Sequence, residues 1–371
     1  MPREAPSATN PDPVPAALER VRAHVLARAA VWYPDAGFEP ARARLRFEPL
    51  GEPATYPLYT CAVAPAGGAE TLAIVVKFTP VFGGHQEGAV EFEHLSLMHA
   101  RLGSSGELRV PRPLDFLPDV NVLLTERTGG ERFSRVILRD AVFGAGDASR
   151  ARMQTASHRC GAWLATYHAS LAATPGTAFD HEFISRLDEG LASLTGFGLP
   201  ATCATRVQVT ARRLAAWGKG RRVARAVQHG DFGPQNVHVS DTHICVFDPS
   251  HHVEACVFDD IDYFLVTLET LNPYPRAWRF DRARVRALRQ PFLAGYFGSD
   301  AAGNVETRIL VEGYYLKALV ARGLKQRRNT AKRGRAALAL FDRVWLAHRY
   351  ARALAAQALR CDQLLAPSSH P

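Results

Sequence analysis

The chain has 371 residues, 47% of them hydrophobic and 22% charged, with a net charge of +9 and a pI near 9.5. That length exceeds what one core usually organises, so two lobes are expected, and the composition excludes a disordered, fibrous or collagen-like chain. The positive balance disfavours a cationic partner and mildly favours an anionic one, but no helix-turn-helix, RNP-like or zinc pattern supports nucleic-acid binding.

Residues 1–15 are rich in Pro, Ala and Asp and read as a disordered tail. Leu18, Val21, Val25 and Leu26 recur at helical spacing between Ala16 and Trp32, predicting a leading helix that the Pro34–Pro40 segment ends. Alternating apolar runs predict strands at Leu45–Leu50, Leu58–Ala64 and Leu72–Phe78, with turns at Gly51-Glu52-Pro53 and Gly67-Gly68. Lys77 lies near the end of the third, where the plainest role is a solvated strand-end lysine. Residues 88–102 have helical periodicity, and Glu91 on that helix could reach Lys77, with Glu93 as its rival. Those two acids point about 200° apart on a helix, so only one faces the sheet. Further extended segments fall at VPRPLDF and at Val122–Leu124, the latter running into TERTGG.

After Gly130 the pattern turns helical: one stretch at 150–171, two within 180–226, another at Asp260–Thr270, then helices to the end. A basic stretch, Lys325–Arg335, precedes a long final helix; it is either a solvated helix start or a contact for a phosphorylated substrate or an anionic membrane surface. The expected divisions are a tail and leading helix (1–38), a strand-rich region (39–127) and a helical region (128–371). That is a two-lobed α+β arrangement. The six cysteines, 61, 160, 203, 245, 256 and 361, form no C-x-x-C pair and several sit in apolar stretches, which predicts buried thiols in a reducing compartment. With no apolar run of membrane-span length and no signal-peptide core, cytoplasmic residence without membrane insertion is expected, and oligomeric state is left open.

The chemistry is concentrated in HGDFGPQN, residues 229–236, and in the VFDPS segment that carries Asp248. Between them lie apolar Val237-His238-Val239, polar Ser240-Asp241-Thr242-His243, and apolar Ile244-Cys245-Val246-Phe247. Two antiparallel strands joined by that turn return the chain to its start, so Asn236 and Asp248 stand side by side with Asp231 just before them. An amide and a carboxylate oxygen converging on a hard cation, beside a carboxylate able to take a proton, suit metal-assisted phosphoryl transfer. The plainer roles are a turn aspartate at Asp231 and an Asp-Pro strand ending at Asp248. His251-His252 are adjacent and diverge, so surface histidines are favoured over a metal pair.

HGDFGPQN resembles the catalytic loop of the aminoglycoside phosphotransferase and choline kinase family, relatives of protein kinases that share their fold. In the same order, AIVVK resembles the kinase third-strand lysine segment and VEFEHLSLM the glutamate-bearing helix. LLTERTGG is similar to the hinge, WLATYH to the helix packed behind the loop, and VFDDIDYFL to the acidic motif that follows. The match covers roughly residues 45–270. It implies a protein kinase-like fold with a small antiparallel-sheet N-lobe and a mainly helical C-lobe, and an ATP- and Mg2+-dependent transfer to an alcohol. It also implies roles: Asp231 as base, Asn236 and Asp248 on Mg2+, Lys77 on the α/β-phosphates held by Glu91, and Gly51 and Glu126 about the nucleotide. His229 is then a packed scaffold residue, and Asp260 holds the loop through backbone hydrogen bonds.

Departures from the protein-kinase pattern bear on the acceptor. GEPATYPLY has one glycine where protein kinases use several, Pro-Ser follows Asp248 in place of Phe-Gly, and nothing resembles A-P-E; no P-loop motif is present. A small-molecule acceptor is therefore expected over a protein. Asp259, Asp260, Asp262 and Glu269 are available to a polycation, and Tyr274, Trp278 and Phe280 to a choline-like cation, but the overall charge points to a neutral or anionic hydroxyl compound such as a sugar. The alternative is a non-catalytic kinase-fold protein that binds a nucleotide or a partner.

Overall fold

Helix α1 (Pro13–Trp32) opens the described chain. The computed structural model describes residues 13–36, 38–50, 57–64, 72–82, 85–103, 106–144, 146–170, 174–249, 253–271, 280–332 and 336–366. The expected tail up to residue 12, Gly51 with its turn, Gly67-Gly68, His251-His252, Tyr274 and Trp278 lie outside these. Two units emerge, residues 1–129 and 130–371.

In the first unit, strands β1 (Arg44–Pro49), β2 (Leu58–Ala64) and β3 (Leu72–Phe78) follow α1. After a two-residue hairpin, β4 (Val81–Phe82) and β5 (His85–Gln86), come α2 (Glu87–Leu102), β6 (Leu108–Arg109), β7 (Pro113–Leu117) and β8 (Val122–Glu126). The main sheet is antiparallel in the order β1-β2-β3-β8-β7. Val21, Val25, Ala29 and Trp32 recur at three- and four-residue spacing along α1 and form one apolar cluster with Cys61, Val63, Ile74, Val76, Val122 and Leu124 of the sheet. Polar ties fix the helix on it: Arg22 Nη1 donates to the Leu45 carbonyl at 3.2 Å, and His24 Nε2 meets Asp115 Oδ2 at 2.8 Å.

The second unit opens with β9 (Glu131–Arg132), α3 (Phe133–Phe143) and α4 (Asp147–Ser170). Next come β10 (Thr174–Thr177), α5 (His181–Gly196), α6 (Ala201–Gly218), β11 (Arg222–Val227), β12 (Val237–Val239), β13 (Ile244–Val246), β14 (Glu254–Cys256) and α7 (Phe258–Glu269). Helices α8 (Arg282–Arg286), α9 (Arg289–Phe297), α10 (Ser299–Gly303), α11 (Val305–Lys332) and α12 (Ala336–Leu365) complete it. Two small sheets interrupt the helices. Strand β11 is central between β10 and β14, inside a stretch expected to be helical up to residue 226; its buried residues, Val223 and Ala226, stand three apart, so no strand alternation shows. The basic stretch precedes the long final helix α12, as expected, but residues 325–332 of it end α11 and do not open a helix.

Helices α4 and α9 approach until backbone meets backbone. A Cβ at Gly161 would stand 2.0 Å from the Phe292 carbonyl oxygen, and one at Gly295 2.0 Å from that of His158. Substituting Gly161→Val should therefore cost about 3 kcal/mol or more by overpacking, read as a lowered melting temperature. A variant as stable as the parent would show that the helices separate at no cost.

Candidate active site

The HGDFGPQN loop leaves β11 and is held from below by one carboxylate. Asp260, on the first turn of α7 and 2% exposed, accepts from the His229 backbone N–H at 2.6 Å and from that of Gly230 at 2.9 Å. His168 of α4 adds its Nε2 at 3.3 Å from the same Asp260 Oδ2, while its Nδ1 meets Tyr296 Oη at 2.8 Å. Gly230 sits at φ 78°, a left-handed turn that glycine adopts without a Cβ penalty, and this lets two consecutive N–H groups point at one acid. Burial by itself would raise the Asp260 pKa, but the His168 hydrogen bond and charge, with the bonds to His229, hold it below the ordinary carboxylate value. Beneath the loop, Phe232 stacks between Trp163 at 5.5 Å and Phe264 at 5.3 Å, and Phe264 stacks on Phe292 at 4.3 Å.

The hairpin follows. Strands β12 and β13 pair antiparallel with Val237 opposite Val246, and the Phe247 N–H donates to the Asn236 carbonyl at 3.1 Å. The register thus sets Asn236 across from Phe247, the residue before Asp248. Asp248 is one of three described non-glycine residues with positive φ, at 68°, a conformation aspartate tolerates better than most side chains. His229 marks the shared neighbourhood. Burial lowers its pKa, so the imidazole is neutral, and the opposing charges it feels are those of Asp260, Asp231 and Asp248.

Asp231 is gripped at both oxygens. Asn236 Nδ2 donates to its Oδ2 at 2.8 Å and to its backbone carbonyl at 2.9 Å, which turns the amide oxygen of Asn236 the other way. Tyr263 Oη donates to Oδ1 through a short contact. Lys325 Nζ donates to Tyr263 Oη at 2.9 Å and lies 3.7 Å from Asp231 Oδ1. Burial, then the charge and hydrogen bond of Asp231, push the Tyr263 phenol upward, so it remains a donor. Tyr263 was not expected as a site residue, and Lys325 only as one member of the basic stretch offered as a contact for an anion. Tyr263 had a signal: it follows Asp260 by three residues on one helix, so both face the loop. The basic run gave no sign that Lys325 meets a tyrosine 62 residues away.

In the first unit, Lys77 Nζ donates to Glu91 Oε1 at 2.8 Å and Oε2 at 2.7 Å. Of the two rival acids, Glu91 is buried against the sheet and Glu93 is exposed. Glu126 lies opposite Ile74 on the paired strands, three residues from the Lys77–Leu123 pair, and so about 10 Å along the sheet from it. Its backbone N–H is taken by the Arg112 carbonyl at 2.8 Å.

Among the described residues no three His, Cys, Asp or Glu side chains gather as a metal cage. The hairpin register leaves Asn236 and Asp248 as neighbours, an amide and a carboxylate oxygen donor on adjoining positions. Also among the described residues, the six cysteines are free, burial pushing Cys256 up to about 11, and no helix is long and apolar enough to cross a membrane.

A family model described as the phosphotransferase enzyme family, APH, matches residues 67–303. The chain belongs to that family. No curated protein matches significantly. Solved structures with similar folds include a glucosamine kinase in complex with glucosamine, ADP and inorganic phosphate, at 17% identity, covering 92% of this chain and 82% of that one with a TM-score of 0.53. An amicoumacin kinase with AMP-PNP, Ca2+ and Ami matches at 14% identity, 92% and 96% coverage and a TM-score of 0.52. A choline/ethanolamine kinase family protein from Mesorhizobium loti matches at 15% identity, 95% of both chains and a TM-score of 0.50. They show the fold: α+β and kinase-like, an antiparallel-sheet N-terminal region followed by a mainly helical part.

The hold of Asp260 on the loop has a pH signature. Its folded-state pKa lies below the ordinary 3.8, so its contribution is complete above that value and is lost as pH falls through the folded pKa. Asp260→Asn should cost about 2–3 kcal/mol at neutral pH, with the gap to wild type closing below about pH 3.8 in thermal melts across pH. A gap that does not narrow with acid would assign the loss to packing.

Proposed function

We propose that the chain is an ATP-dependent small-molecule kinase that moves the γ-phosphate to an alcohol oxygen. The observation that carries this is the grip on Asp231: Asn236 fixes one carboxylate oxygen at 2.8 Å, and the other faces a hydroxyl donor, Tyr263, where an acceptor hydroxyl would bond. In the transfer, the acceptor oxygen forms a bond to the γ-phosphorus as the bond to the bridging oxygen breaks. That electron pair leaves on ADP, and the acceptor proton passes to Asp231. Asn236 and Asp248 would hold Mg2+, which supplies charge neutralisation and alignment of the phosphates when bound. Lys77, kept in place by Glu91, would meet the α/β-phosphates, with Glu126 toward the nucleotide.

Support comes from family membership and from relatives of the same fold whose structures hold glucosamine with ADP, or AMP-PNP with Ca2+. The kinase reading favours a small acceptor over a protein because Pro249 follows Asp248 and no activation-segment motif is present. A non-catalytic nucleotide-binding protein has no need of both a fixed carboxylate and a metal pair beside it.

Mg·ATP should raise the melting temperature, and Asp248→Ala should remove most of that shift. Asp231→Ala should keep the shift while turnover falls about 10²- to 10⁴-fold. Full turnover in the Asp231 variant would remove the proposed base; a shift with no phosphorylated product over a broad panel of alcohols would leave a nucleotide-binding protein.

A further inference from the structure

A cavity of about 610 Å³ lies within the second unit, lined by α5, α7 and α11 together with Gln228 and, in the loop, Gly230. Tyr263 and Lys325 line it, and both reach the Asp231 carboxylate, so the cavity ends at the proposed base. Small residues hollow it out: Gly190 and Ser193 on α5, Ala318 and Ala321 on α11.

Its charges are unevenly committed. Sequence offered Asp259, Asp260, Asp262 and Glu269 as acids for a polycation, and the structure engages or neutralises each. Asp259 is paired with Lys317, Asp260 with the loop, and Glu269 with Arg289 at 3.3 Å. Asp262 is 1% exposed with neither oxygen hydrogen-bonded among the described residues, and burial raises its pKa well above the ordinary value despite Arg289. That carboxyl favours its neutral form and so adds no full negative charge beside the cavity. The remaining carboxylate, Glu189, is on the exposed rim and accepts from Ser185 at 3.0 Å. Against these stand Arg322, Lys325 and Arg328, three residues apart on α11. Arg322 donates to Thr270 Oγ1 at 3.0 Å, and among the described residues neither arginine meets a carboxylate.

We propose that the acceptor is an anionic alcohol, its carboxylate or phosphate held by Arg322, Lys325 and Arg328 while its hydroxyl reaches Asp231. This rests on the kinase reading for the reaction, but not for the binding. Guanidinium and ammonium donors at one edge fit an oxyanion, and a neutral Asp262 behind the wall repels no anion. Glucosamine and choline carry the opposite charge, so this chain parts from the acceptors named for its structural relatives.

The test compares matched alcohols: glycerate, glycerol 3-phosphate and glycerol; gluconate, glucose 6-phosphate, glucose and glucosamine. Binding is read by titration calorimetry without nucleotide, and turnover by ADP release. Anionic members should bind about tenfold or more tighter than their neutral or ammonium partners, and the carboxylate and phosphate arms identify which oxyanion is preferred. Arg328→Ala with Arg322→Ala should weaken anion binding about tenfold while the Mg·ATP melting shift persists, which shows the variant is folded. Equal or better binding of glucose and glucosamine, or anion binding unmoved by the double substitution, would overturn the proposal. Phosphorylation of ammonium acceptors alone would also overturn it and leave the kinase reading intact. Anion binding without any ATP turnover would do the reverse.

Discussion

One buried carboxylate sets the geometry of the second unit. The loop after β11 turns left-handed at Gly230 and cannot pair its N–H groups in a sheet, so they need a partner in the interior. Asp260 supplies it to two of them at once. A buried charge is costly unless every lone pair is used, and His168 takes a share at 3.3 Å. Because Asp260 belongs to a helix, fixing it also fixes what lies one turn on. Tyr263 is carried to the Asp231 carboxylate and Phe264 under Phe232. The distance between loop and helix, and hence the environment of the proposed base, follows from that single anchor.

How much of this was legible depended on how local the contacts are. The β12–β13 hairpin was readable because two short apolar runs flank a four-residue polar turn, and the register that places Asn236 beside Phe247 follows from the turn alone. Lys77 was readable from its strand, and helix geometry reduced its partner to one of two acids, of which burial selects Glu91. Strand β11 was not, since its neighbours β10 and β14 come from segments about 50 residues before and 30 after it, and its buried residues, Val223 and Ala226, stand three apart where a strand would alternate. The Tyr263–Lys325 contact was out of reach for a related reason. A lysine inside a run of cations at a helix end has a sufficient local explanation, and although the whole run was offered as a contact for a phosphorylated substrate, nothing in it singles out Lys325 or ties it to Tyr263.

The same contrast explains why composition alone misstates the charge available to a ligand. Four acids cluster in sequence near the site, yet three are engaged by Lys317, Arg289 or the loop backbone, and the fourth is driven toward neutrality by burial. Net charge of +9 is a property of the whole surface; what a ligand meets is the remainder after internal pairing. Around the cavity that remainder is cationic, and it is concentrated on one helix.

That helix must hold its position for the remainder to act at a fixed place, and a second buried polar network holds it. Glu312 of α11 accepts from Arg289 of α9 at 2.9 Å and from Gln357 of α12 at 2.7 Å, and Gln357 also donates to the Glu312 backbone carbonyl. Burial opposes the charge on Arg289, but Glu312 and Glu269 keep the guanidinium protonated. Glu269 ends α7, so one arginine links the helix that bears Asp260 and Tyr263 to the helix that bears Lys325. The two walls of the cavity are thereby registered by directional bonds, where apolar packing would let them slide by a fraction of a turn. A slip of that size would carry Lys325 off the Tyr263 hydroxyl, so the network around Arg289 and the anchor at Asp260 act on the same few ångströms from opposite sides.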